Sequence, residues 1–315
     1  MLKTKLRSMK YFSPLFPFVI GCTVLFLIPS LFELAIINFV GQIFLFVVVA
    51  CIPAYKTGRM SYVDIAWPWG LVLIGVLTYF YSAGHWLRLL IISSAYIFIG
   101  LRMGLGALKM WKIGWLKTEF PRYQYQRRRW QKSGKNNKTL VIQIDILIQG
   151  FANASFLAFP AFIIASNPVA AVSILEIIGI GIWLGAFVME SVADAQKLTF
   201  LKRMKKSGQK NKVCNVGLWS YSRHPNYFAE WMVWNALIIG SIPSWLHFLP
   251  LQQSNLSVTL WILIGLGLLF VSRIMYLTLV YLTGAKPSEY YSLQKRPEYK
   301  NYQKTTQMFF PGPKK

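Results

Sequence analysis

Residues 169–206 read VAAVSILEIIGIGIWLGAFVMESVADAQKLTFLKRMKK. Up to position 190 the stretch has no lysine or arginine, and Glu176 is its one acid before Glu190 closes it. A membrane-crossing helix needs roughly 20 mostly apolar residues. From Lys197 the same stretch turns basic, as a span does where it meets the cytoplasmic side. Working outward, comparable runs are predicted at about 14–32, 35–54, 64–82, 86–103, 141–166, 169–190, 226–248 and 256–283. The predicted fold is an all-α, polytopic transmembrane helical bundle of about eight spans, forming one integral membrane domain over residues 1–315.

The cations sort by connection. They fall before the first span, after the second, and in the fourth and sixth connections and the tail; the first, third, fifth and seventh connections contain none. Only Arg88 and Arg273 fall outside this basic set, both inside spans. By the positive-inside rule this predicts both termini in the cytoplasm. The basic start, MLKTKLRSMK, leads into a long apolar run without a small-residue cleavage site, so that run is expected to be a retained first helix. The expected location is the bacterial inner membrane.

Composition excludes other classes. Of the 315 residues 55% are hydrophobic and 14% charged, against about 25% charged in soluble domains. The net charge of +24 does not call for nucleic acid, because the cations flank apolar runs, where topology and anionic membrane lipids account for them. Cys22, Cys51 and Cys214 form no close-spaced pair, and with three histidines no metal site is predicted. The fourth connection interleaves Trp111, Trp115, Tyr123, Tyr125 and Trp130 with cations. It reads as an interfacial helix on headgroups, or more sharply as a phosphate-binding wall of a site. Gly181-x-x-x-Gly185 suggests close helix packing.

Ten acids are few enough to weigh singly. Asp64, Glu190, Asp194 and Glu230 all fall at cytoplasmic helix ends. Ionisable groups there are costly unless paired or wet, so with Arg102, Lys202, Arg223 and His224 they predict a polar pocket; interfacial salt bridges fixing helix ends are the alternative. Asp145, Glu176 and Arg273, inside spans, rank lower. Glu33, Glu119, Glu289 and Glu298 read as ordinary loop or tail acids. The densest chemistry is GLWSYSRHPNYFAEW, residues 217–231. Arg223 offers a planar fork for an anion, Pro225 starts a helix, and Asn226, Tyr227 and Glu230 then fall near one face. Such a set can hold a nucleotide-like cofactor; helix capping at the interface would use the same residues.

This segment resembles the signature of a bacterial membrane family known as domain of unknown function 1295, grouped with the C-terminal domain of steroid 5-alpha-reductases. Gly217-Leu218-Trp219 is followed by Ser222 to Phe228 and Glu230. Ser61 to Asp64 with Trp67, Arg102 with Gly104, Glu119 to Tyr123, Gln149-Gly150, Glu190 to Asp194, Gln196, Phe200, Tyr299, Tyr302 and Pro311 fit in order. The resemblance covers about residues 60–315, leaving 1–59 as a basic N-terminus and two extra spans. It implies a helical membrane fold with a cofactor held between the C-terminal helices. In the steroid and sterol reductases that cofactor is NADPH, and a carbon–carbon double bond of a lipophilic substrate is reduced. In the isoprenylcysteine methyltransferase branch it is S-adenosylmethionine. The Arg-His-Pro element is common to both.

Two details favour the reductase side: Asn226-Tyr227 with Glu230, and Asp194 with Lys202 and Arg203 as partners for an adenosine ribose and its 2′-phosphate. The methyltransferase branch typically carries an acidic pair where this tail has a lone Glu289. The expected enzyme is an NADPH-dependent reductase of a steroid- or lipid-like small molecule. Asp194, Lys202, Trp219, Arg223, His224, Asn226, Tyr227 and Glu230 would hold the cofactor, and Tyr62, Asp64 or Glu190 would deliver the proton. An S-adenosylmethionine-dependent methyltransferase and a non-catalytic lipid-binding protein are the alternatives. The glutamine–glutamate pair and tyrosine of the steroid enzymes find no counterpart in the first two spans, which read as bare.

Overall fold

The structure is a computed structural model and describes residues 11–249 and 256–313. Among these, every regular element is helical. In chain order they are α1 (Phe16–Phe26), α2 (Phe32–Phe46), α3 (Ile52–Thr57), α4 (Val63–Tyr81), α5 (Trp86–Lys112), α6 (Pro121–Lys132), α7 (Lys138–Ala154), α8 (Phe159–Ala165), α9 (Ile174–Lys206), α10 (Pro225–His247), α11 (Val258–Leu277), α12 (Ala285–Lys295) and α13 (Tyr299–Thr305). A π-helical turn, Val47–Cys51, joins α2 to α3, and another, Thr278–Leu282, follows α11.

Among the described residues, six helical stretches are long and apolar enough to cross a membrane: Pro29–Thr57, Val63–Tyr81, Trp86–Lys112, Lys138–Ala165, Ile174–Lys206 and Val258–Lys295. This is a multi-pass membrane protein. Two of the eight expected spans fall short of that standard for different reasons. Ser13–Phe26 rises only about 21 Å at 1.5 Å per residue, against a hydrocarbon core of roughly 30 Å. Helix α10 is long enough but carries Asn226, Glu230, Asn235, Ser241 and Ser244. Packed against α8, α9 and α11, it presents little of itself to lipid.

The core joins residues from Phe18 to Phe309. At its centre α8 is wholly buried, and the Trp234 ring meets those of Trp67 and Tyr96 edge-on. The first two expected spans prove less bare than they read. Asn38 and Gln42 on α2 are fully buried. The Gln42 amide donates to the Gly70 carbonyl at 2.8 Å, and the Asn153 amide donates to the Trp67 carbonyl at 3.0 Å and to Gln42. These amides tie α2, α4 and α7 together; a side chain at Gly70 would strike both Gln42 and Asn153.

The close helix crossing lies elsewhere than expected. A Cβ at Gly181 or Gly185 would meet nothing within 4 Å, whereas one at Gly179 would lie 2.9 Å from the Ala236 carbonyl oxygen and 3.0 Å from the Gly240 Cα. Two residues turn a helix by about 200°, so Gly181 faces away from the contact that Gly179 makes with α10.

The two ends of the bundle differ in chemistry. At one end the His85 amide donates to the Asn167 carbonyl, Asn167 donates to Ser244, and Arg88 reaches the Val169 and Ala171 carbonyls. This end gathers cation-free connections. At the other end Arg59 bonds the Lys117 carbonyl, Arg127 the Gly58 carbonyl, and Lys212 pairs with Glu298. The basic segments therefore meet on one side.

Candidate functional site

The basic end carries a network of ion pairs built by helix termini. Asp64, in the first turn of α4, accepts from Arg122 and from the Tyr123 hydroxyl, both on α6. Burial raises the Tyr123 phenol well above its usual range, as does the Asp64 carboxylate, so it stays protonated as a donor. Arg102 on α5 bridges Glu190 and Asp194 on α9, the latter at 3.0 Å. Asn226 then donates to Asp194 at 3.1 Å. Glu230, one turn on, feels the charges of Arg102, Asp194 and Arg122. The expected acids thus converge, while Tyr62 stands apart, its hydroxyl accepting from Arg59 at 3.1 Å.

Helix α6 is more than an interfacial element. Tyr123 and Gln126 are buried, and Gln126 donates to Asp145 on α7 at 3.1 Å. Arg127 pairs with Glu119, whose carboxylate also accepts from the Met60 and Ser61 amides and the Ser61 hydroxyl. Glu119 is therefore a half-buried staple between the α3–α4 turn and α6, not an ordinary loop acid.

A second cluster surrounds the RHPNY segment. Arg223 and Glu289 are both buried and paired at 2.6 Å. The Arg223 guanidinium also donates to the carbonyls of Gln303 and Thr306, so four of its five N–H groups are engaged. Glu289 further accepts from Gln303 at 2.7 Å and contacts His224 Nε2 at 3.3 Å. Burial lowers His224 below its usual range, against the pull of Glu289. The ring is neutral near pH 7, donates from Nε2 and keeps Nδ1 as an acceptor. It lies parallel to the Tyr227 ring, with centroids 5.3 Å apart. Glu289, read as a tail acid, is the centre of this cluster. Its signal in the sequence is weak, since its partners lie 65 and 66 positions away.

Beside the cluster is a cavity of about 230 Å³ whose lining includes Lys197, Trp219, Arg223, His224, Asn226 and Tyr227 from the α9–α10 side and Ser288, Ser292, Arg296, Tyr299 and Tyr302 from the tail. No carboxylate lines it. Lys197 lies 4.2 Å above the Trp219 ring centroid. Arg296 donates to the Lys212 carbonyl and the Ser292 hydroxyl; among the described residues neither cation has an acidic partner. The Asn226 Oδ1 is buried without a hydrogen-bond partner. The Cys214 thiol on the same wall is raised by burial, which makes it unreactive.

Of the expected cofactor residues, Trp219, Arg223, His224, Asn226 and Tyr227 line this cavity; Asp194 reaches it through Asn226. Lys202 does not line it and is exposed, five residues beyond Lys197 on α9. Sequence reading missed Lys197, Arg296 and Tyr299. A larger cavity of about 750 Å³, lined by Trp115, Phe120, Arg122, Tyr291 and Lys295 among others, shares Ser288, Ser292 and Arg296 with the first.

The chain belongs to the family described as protein of unknown function (DUF1295), whose pattern matches residues 50–306. No curated protein and no solved structure matches it.

Proposed function

We propose that this DUF1295 protein is an NADPH-dependent membrane oxidoreductase that reduces a carbon–carbon double bond of a lipophilic substrate. The observation that carries this reading is the charge of the smaller cavity: Lys197 and Arg296 on its wall without an acidic partner among the described residues, and no carboxylate in the lining. A phosphorylated dinucleotide is a polyanion and complements such a wall. S-adenosylmethionine carries a sulfonium and an ammonium against a single carboxylate, a net positive charge that a cationic wall disfavours. The nearest buried acid, Glu289, is already held by Arg223, His224 and Gln303. The same charge argument ranks the methyltransferase second.

In this reading Lys197 and Arg296 hold phosphate groups, and Trp219, Tyr299 and Tyr302 supply aromatic surface. The unpartnered Asn226 Oδ1 accepts from the cofactor's polar part. Arg223 acts at one remove, holding the tail helices that complete the wall. When bound, the nicotinamide supplies hydride, and the protein's part is to orient it, exclude water and provide a proton. Asp64 and Glu190 are each tied to an arginine and line neither cavity. Tyr227 is better placed: it lines the smaller cavity and its hydroxyl meets Ser288, which lines both cavities. The basic end faces the cytoplasm of a bacterial inner membrane, with both termini inside, so cofactor enters from the cytosol.

Native mass spectrometry of gently solubilised protein tests the reading. Co-purified NADPH supports it; co-purified S-adenosylmethionine overturns it.

A further inference from the structure

The larger cavity identifies the kind of substrate. It lies between the end of α5, the start of α6 and helix α12. Its lining divides into two chemistries. Met110, Trp115, Phe120 and Pro287 give it an apolar side. Trp115 is exposed, as are its neighbours Trp111 and Ile113. Aromatic residues in such a position sit at the membrane–water interface, so this side opens toward the headgroup level of one leaflet. The lining also carries Arg122, which pairs with Asp64, together with Lys295 and Arg296, and among the described residues no aspartate or glutamate lines the cavity. Among the described residues Lys295 makes no ion pair, and Arg296 bonds only a carbonyl and a hydroxyl. The Tyr291 hydroxyl on the same wall is buried without a hydrogen-bond partner.

A buried hydroxyl lacking a partner is costly in an empty protein and satisfied when an anion accepts from it, and the exposed Lys295 and half-buried Arg296 beside it offer that anion charge-assisted contacts. A neutral sterol or hydrocarbon would bring the cations no counter-charge. A free inorganic anion would leave the apolar side uncovered. An alkyl chain ending in a carboxylate or phosphate satisfies both.

We infer that the larger cavity binds the substrate, and that the substrate is an anionic amphiphile. Its head group lies against Lys295 and the Tyr291 hydroxyl, which line only this cavity, and its chain leaves past Trp115 into the leaflet. This rests on the reductase reading, in which the adjoining smaller cavity takes the cofactor. Ser288 and Ser292, common to both cavities, mark where the reacting groups would meet.

The test uses full-length protein in nanodiscs of neutral phosphatidylcholine and a long-chain fatty acid bearing a diazirine. After photolysis, adducts are mapped by peptide mass spectrometry. The expected adducts fall within residues 110–122 or 283–296. Excess oleate removes them, whereas oleyl alcohol and inorganic phosphate do not. Lys295→Glu lowers labelling by roughly tenfold or more, since it reverses a charge that contributes a charge-assisted contact. Competition by oleyl alcohol equal to that by oleate, displacement by phosphate alone, or labelling unchanged in Lys295→Glu overturns the inference. NADPH binding is measured separately on the unmodified protein. Its absence with specific labelling intact would remove the reductase reading and leave the anionic amphiphile site standing.

Discussion

The Arg223 guanidinium grips the Glu289 carboxylate through two nitrogens, Nε to Oε1 at 2.6 Å and NH2 to Oε2 at 3.3 Å. The pair joins the start of α10 to α12, and through the Gln303 and Thr306 carbonyls it fixes α13 as well. The tail beyond is bound by backbone: the Arg223 amide donates to the Gln307 carbonyl, and the Gly312 amide to that of Tyr221. The tail helices form one wall of the smaller cavity, so this buried pair governs whether that cavity exists.

Removing one member of a buried pair leaves the other charge uncompensated, at a cost of about 3–5 kcal/mol. Arg223→Ala and Glu289→Ala are each expected to lower the thermal stability of purified protein and to expose the segment from Arg296 onward to limited proteolysis. Arg223→Lys should restore little, because an ammonium cannot reproduce the two-point contact. Proteolysis unchanged in all three variants would show that the pair does not hold the tail.

A second buried pair sits at the opposite end. Arg88 Nε donates to Glu176 Oε1 at 2.5 Å, and Glu176 also accepts from the Ser173 amide at 2.7 Å as part of the cap of α9. Replacing Arg88 by methionine alone should destabilise the protein by about 3–5 kcal/mol, and replacing both residues by methionine should recover much of that loss. The check is a double-substitution cycle on thermal unfolding. Additive losses would mean that the two side chains act independently.

The sorting of basic segments to one end predicts sidedness. Cysteines introduced at Ala83 and Ala170, both exposed, should react with a membrane-impermeant maleimide from the periplasm. One at Gln209 should react only after the membrane is opened. The three native cysteines are buried and are replaced in the background. Position 252, in the seventh connection, would complete the set by topology; it lies outside the described residues. Labelling at 209 from the periplasm would reverse the orientation.

Much of the fold was legible because lipid excludes charge. The apolar runs and the alternation of basic connections mark the helices, and the few acids mark the end where they meet. Asp64, Glu190 and Asp194 converge as their helix-end positions implied. Cross-chain pairing was not legible. Glu289 gains its partners from a segment 65 and 66 residues away, and no periodicity links them. Lys197 and Lys202 look alike in the basic run, and only helix phase brings the first into the cavity. Asn38 and Gln42 carry no charge, so a search for ionisable residues in spans passes over them. The glycine spacing misled for a related reason, since a four-residue repeat fixes a face without saying what that face meets.

The same phase argument yields a comparison within one helix. Lys197→Ala should weaken NADPH binding by about tenfold or more, the loss of one charge-assisted contact. Lys202→Ala, exposed and away from the wall, should leave it within about twofold. Equal effects would mean that the anion is bound by the general basic field of the loop rather than by the cavity.

The central claim is that the cation-lined cavity beside residues 223–227 takes an anionic dinucleotide. Direct titration of purified protein with NADPH, and in parallel with S-adenosylmethionine, tests it most closely. Saturable NADPH binding is expected, weakened about tenfold or more by Asn226→Ala, with S-adenosylmethionine bound far more weakly. Saturable binding of S-adenosylmethionine with none of NADPH would contradict the claim and assign the same residues to a methyl donor.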